Sequence, residues 1–105
     1  MIKHILILSA LALAAGSSMA APPDEAMNKA GCMACHAKDK KVVGPAFKDI
    51  AAKYKGDKEA PTKLADKVRK GGSGVWGPIP MPPNAAEKIS DADLKGAVDQ
   101  ILKTQ

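Results

Sequence analysis

The chain has 105 residues, with 16 Lys and Arg against 11 Asp and Glu, a formal charge of +5 and two cysteines. That length makes one small domain, at a size where a side-chain core alone is marginal and a staple, metal or cofactor usually assists. Phe47, Tyr54 and Trp76 are its only aromatic residues, and the basic residues are scattered, so a nucleic-acid reader with stacking aromatics or a recognition motif is excluded.

The first twenty residues read MIKHILILSALALAAGSSMA. A basic start at Lys3 and His4, an apolar run from Ile5 to Ala15 broken only by Ser9, and small residues at Ser18 and Ala20 form the pattern of a secretory signal peptide. A membrane anchor needs about 20 apolar residues, and this run is about half that. Residues 1–20 are therefore expected to be a cleaved signal, leaving residues 21–105 as the mature domain in the periplasm. Loss of Lys3 lowers the formal charge to +4.

Four helices are expected in chain order. The first runs from about Asp24 to Cys35. The second lies in AFKDIAAKYKG, where Phe47, Ile50, Ala51 and Tyr54 fall at i, i+3, i+4 and i+7 before Gly56. The third spans about Pro61 to Lys70, with Lys67, Arg69 and Lys70 near the negative end of its dipole and Gly71 and Gly72 as the stop. The fourth begins at Ser90, with Asp93 placed for a capping box and Ile89 and Leu94 for a hydrophobic staple. Leu94, Ala97, Val98, Ile101 and Leu102 then make one apolar stripe. No segment alternates at period two, so the expected class is all-α.

Cys32-Met33-Ala34-Cys35-His36 carries the chemistry. Cys-x-x-Cys-His is the spacing for covalent attachment of a c-type haem: two thiols a turn apart can add to the two vinyl groups, and the adjacent histidine lies within reach of the iron. A thiol–disulfide exchange site would want a βαβ setting, a structural zinc needs four ligands, and a plain disulfide leaves the histidine without a role. His36 is the only histidine past the signal, so a second imidazole from this chain is excluded. The sixth position is left to methionine, another group, or an open site.

GPIPMPP, residues 77–83, bears on that choice. Proline fixes φ and removes a donor, whereas methionine is ordinarily an adaptable gap-filler. Met33 lies inside the attachment loop and Met27 on the helix leading to it. Met81 is 45 residues beyond His36, far enough to reach the opposite haem face. Pro78, Pro80, Pro82 and Pro83 restrict what its loop can sample, as suits a weakly held thioether ligand.

CMACH, VGPAFKDIAAKY and GGSGVWGPIPMPPN, in this order and spacing, resemble the small bacterial class I cytochromes c of the cytochrome c-551/c-552 group, over almost all of residues 21–105. The resemblance implies a compact helical fold around one haem c and a one-electron carrier of the periplasm. It also implies a quinol–cytochrome c reductase upstream and a nitrite reductase or terminal oxidase downstream, with the protein acting as a free monomer, not an enzyme. Carried onto this sequence, Cys32 and Cys35 match the thioether cysteines, and His36 and Met81 the axial ligands. Pro45 matches the proline whose carbonyl accepts from the ligand histidine, Trp76 a tryptophan that meets a haem propionate, and Asn84 an asparagine whose amide touches the ligand sulfur.

The sequence departs from the group in three places. Met27, Ala97 and Gln100 stand where related chains pair aromatics between the terminal helices, which implies a thinner interface. Lys67 stands where arginine is frequent, and AAEKISDAD is about three residues longer than usual. Two other functions remain open at this point: a haem protein with a free sixth site, peroxidase-like or gas-binding, and a haem subunit of a larger reductase or oxidase.

Overall fold

The computed structural model describes residues 20–105; the expected signal segment lies outside them apart from Ala20. Helix α1 spans Pro23–Ala30, a 3-10 turn follows at Cys32–Ala34, and α2, α3 and α4 span Phe47–Lys53, Ala60–Lys70 and Asp91–Leu102. The expected all-α class holds. Between α3 and α4 the chain also forms a two-stranded antiparallel ribbon, β1 at Gly72–Gly74 and β2 at Gly77–Met81.

Helix α1 ends five residues sooner than the sequence suggests. Gly31 takes a left-handed φ of 85° and its N–H turns back to the carbonyls of Asn28 and Met27. Only glycine adopts that conformation without steric cost, so Cys32 starts a new 3-10 turn on a different axis. The ribbon escaped the period-two search because its strands are three and five residues long and built of Gly and Pro. Gly72 pairs with Met81 and Gly74 with Gly77, so two steps along β1 match four along β2. The surplus falls at Pro78-Ile79-Pro80, where two residues have no N–H to give the ladder.

The core gathers where α1, α2 and α3 lean on α4. Met27 (2% exposed), Phe47, Ile50, Leu94, Ala97 and Val98 (2%) are its centre. Ile101 and Leu102 complete the α4 stripe half-buried. Met27 and Ala97 both belong to this cluster, and a polar bond joins the terminal helices: Gln100 Nε2 donates to Asp24 Oδ1 at 2.5 Å.

Ser90 caps α4, its Oγ accepting from Asp93 N–H at 3.2 Å. The reciprocal half of a capping box is replaced, because Asp93 Oδ1 accepts instead from Ala21 N–H at 2.8 Å. The beginning of the folded domain is thereby tied to the first turn of its last helix, across 72 residues of chain. Among the described residues no helix is long and apolar enough to cross a membrane.

Candidate functional site

A single cleft brings the sequence-marked residues together. Cys32, Cys35, His36, Pro45, Trp76 and Met81 all line it, with Met27, Phe47, Leu94 and Val98 forming its apolar floor. The 3-10 turn, the loop to α2, the ribbon and the end of α3 all contribute to its lining. Val43, Val75, Trp76 and Ile79 stand 45%, 50%, 42% and 61% exposed and all face this cleft. Apolar side chains bared in so small a patch mark a ligand surface, and a flat hydrophobic group would cover them.

His36 is held from three directions. Its Nδ1 lies 2.8 Å from the Pro45 carbonyl oxygen. A carbonyl can only accept, so the proton sits on Nδ1 and Nε2 keeps its lone pair free for a metal. The ring stacks on Phe47, centroids 5.3 Å apart and planes inclined by 20°. Gly44 lies against it so closely that a Cβ there would sit 2.6 Å from Cε1 and 3.0 Å from both ring nitrogens. The loop that brings Gly44 there is fixed by its own backbone: Val43 and Gly44 N–H both donate to the Cys35 carbonyl, at 3.1 and 2.7 Å.

Cys32 and Cys35 are half-buried free thiols flanking the turn. In the haem-free chain, burial pushes the Cys32 thiol above its ordinary value, partly offset by a backbone hydrogen bond and by Lys88.

Met81, on the same cleft, ends β2 half-buried. Asn84 is 7% exposed, and its Nδ2 donates to the carbonyls of Pro82 at 3.0 Å and Val68 at 3.3 Å. Trp76 stands at the rim with the Lys53 ammonium 5.5 Å from its ring centroid, a cation–π contact that sequence reasoning missed. The Phe47–His36 stack was also missed, because the helical period marks Phe47 only as core. Arg69 was seen only as a C-terminal charge of α3. Its partners lie 15 to 22 residues away, which no local pattern reveals.

The family model for cytochrome c matches residues 21–105. The chain belongs to the cytochrome c family. It is 49% identical over 103 residues to cytochrome c-551 of Pseudomonas aeruginosa, covering 95% of this chain and 96% of that one. It is 58% identical over 74 residues to cytochrome c-552 of Nitrosomonas europaea, covering 70% of each. The crystal structure of that Nitrosomonas cytochrome c552 superposes with a TM-score of 0.73 at 52% identity, over 78% of this chain and 99% of the other. The protein is thus a small class I cytochrome c, an electron carrier and not an enzyme, with one covalently bound haem c.

The donor set of this cytochrome fits that group. Two thiols, one imidazole with its outer nitrogen committed, and one thioether border a cleft with an apolar floor, as haem c demands. Lys67 lies on the same cleft and supplies positive charge for an acidic substituent, without the planar fork of arginine.

Gly44→Ala is expected to drive the His36 ring from its place and break its bond to Pro45. The cost should be about 1–3 kcal/mol, the penalty of an orphaned buried polar group. Nuclear magnetic resonance should show faster exchange of the ring N–H, and chemical denaturation an earlier midpoint.

Proposed function

We propose that this cytochrome binds its haem through thioethers to Cys32 and Cys35, with His36 and Met81 as axial ligands, and carries single electrons in the periplasm. What supports the reading is that His36 and Met81, 45 residues apart in the chain, both line one cleft, with the His36 Nδ1 already committed to Pro45. The haem supplies the reversible ferrous–ferric couple, and methionine opposite histidine raises its potential.

The polypeptide's part is to keep that environment the same in both oxidation states. Pro45, Phe47 and Gly44 hold the imidazole. Prolines around Met81 narrow the conformations open to the thioether's backbone. With both axial positions filled by the chain, no substrate reaches the metal, which separates this reading from a peroxidase-like or gas-binding one. Trp76, whose indole N–H can only donate, would meet a propionate, as its position on the cleft allows. Asn84 supports Met81 through the backbone of the turn, by its bonds to Pro82 and Val68.

Export is supported by the leader pattern and by the fold: removal of residues 1–20 would leave the Ala21 nitrogen on Asp93, where an ammonium makes a stronger, charge-assisted bond. Mass measurement of the exported holoprotein should give Ala21 as its first residue; a retained leader would contradict this.

The partners are redox proteins with acidic faces, a quinol–cytochrome c reductase upstream and a nitrite reductase or terminal oxidase downstream, met by a freely diffusing monomer. Lys38, Lys40 and Lys41 are exposed beside the attachment turn, where complementary charge speeds encounter. Reversing those three charges should slow electron transfer with such a partner at low salt and flatten its salt dependence. An unchanged rate and salt dependence would rule out this docking face.

The central test is an optical and redox titration of the haem-loaded protein beside Met81→Ala. The wild type should show a low-spin ferric spectrum with a weak sulfur-to-iron charge-transfer band. The variant should lose that band, fall in potential and bind carbon monoxide. A wild type that lacks the band and takes up carbon monoxide readily would refute the His36–Met81 pair.

A further inference from the structure

The turn after Met81 has few ways to dock. Pro82 and Pro83 have no N–H, so the first backbone donor beyond the thioether belongs to Asn84. It donates to the Val68 carbonyl at 2.9 Å, and the Asn84 side-chain Nδ2 reaches the same oxygen at 3.3 Å. Val68 lies in the last turn of α3, where helix carbonyls have no intrahelical partner. Gly71 closes that helix and presses on the same turn, so tightly that a Cβ would collide with the Met81 carbonyl and lie 2.8 Å from Pro83 N.

Arg69, one residue past Val68, returns the contact in the other direction. Its Nη1 donates to the carbonyls of Ile89 at 2.7 Å and Asn84 at 3.3 Å. Those two carbonyls mark the ends of the 84–89 loop, which is closed on itself by Lys88 and Ile89 N–H donating to Ala85. One guanidinium nitrogen therefore spans the loop, and Nη2 reaches Asp91 Oδ1 at 2.6 Å. The Arg69 side chain is only 23% exposed, whereas that of Asp91 is 95% exposed. The ion pair is solvent-screened and contributes little; the partly buried bonds to the two carbonyls are the ones that matter.

We propose that Arg69 is a positioning residue for Met81, its guanidinium clamping the 84–89 loop to the end of α3 and so holding the thioether turn over the cleft. The proposal rests on the reading of Met81 as the axial ligand. Arg69 touches neither Met81 nor the haem site; it acts through Asn84 and two stiff prolines. Lysine at this position could reach one carbonyl but could not also present a planar second arm.

The test uses the ferric holoprotein and four variants: Arg69→Met, which keeps an apolar stem without donors, Arg69→Lys, Asp91→Asn, and Leu102→Ala, a substitution against the core chosen to lower stability away from the turn and the cleft. Added imidazole is the probe, titrated against loss of the sulfur–iron charge-transfer band. Exchange of the Asn84 amide is read alongside by hydrogen–deuterium exchange.

Arg69→Met should bind imidazole about tenfold more tightly than wild type, the equilibrium equivalent of about one lost charge-assisted hydrogen bond, with faster Asn84 exchange. Arg69→Lys should fall between, while Asp91→Asn and Leu102→Ala should stay within about twofold of wild type. If Arg69→Met changes only as much as Leu102→Ala by both readouts, Arg69 is mere packing and the proposal fails. If Asp91→Asn reproduces Arg69→Met, the exposed ion pair is the operative contact and the proposal also fails. Should Arg69→Met not fold, Arg69→Lys against Asp91→Asn makes the same comparison. A wild type without the charge-transfer band would sink the Met81 reading itself, an outcome visible before any variant is compared.

Discussion

The hydrogen bond from His36 Nδ1 to the Pro45 carbonyl is the point through which the halves of this small protein are related. It selects the tautomer of the neutral imidazole as well as its direction, because a carbonyl can only accept. It is possible only because residue 44 has no side chain, and because the 38–44 loop is drawn back onto the Cys35 carbonyl. Phe47 then serves two roles, packing under α4 and stacking on the imidazole. The core and the proposed metal ligand therefore share a wall, and a disturbance of either is transmitted to the other.

The placement of Met81 rests on another principle. Methionine has no hydrogen bond with which to orient itself, and a thioether is a modest ligand. Its position must come from backbone. Here the chain removes donors from the turn with proline and assigns the first one left, on Asn84, to the unpaired end of α3. Stiffness from proline and anchorage from a helix C-terminus are complementary, since a rigid turn that was free to swing as a body would hold nothing.

The fold itself is economical in side-chain bulk. Its core is dominated by Ala, with two Ile and one each of Met, Phe, Leu and Val, and its terminal helices share a Gln100–Asp24 hydrogen bond. Of the six large apolar residues left bare among the described residues, Val43, Val75, Trp76 and Ile79 line the cleft, and Met33 and Val42 lie outside it. A chain arranged in this way uses its prosthetic group as part of its interior, as small domains tend to do.

Much was legible from sequence because the relevant physics is local. The Cys-x-x-Cys-His spacing depends on one turn of chain, the α4 cap on Ser90 and Asp93 three residues apart, and the α4 stripe on helical period. The family resemblance extended that to Pro45 and Met81, which the fold brings to the same cleft as His36. What tertiary structure alone decided are choices between competing partners. Asp93 was placed to complete a capping box but accepts from Ala21; Asn84 directs its amide to Val68 and Pro82; Gly31 breaks the first helix before the cysteines; Gly and Pro form a ribbon that no alternation announces. Arg69 could have been a solvated charge on a helix end and is instead a clamp. In each case several acceptors lay within reach, and the choice among them was made by distant segments packing together, which no short stretch of sequence encodes.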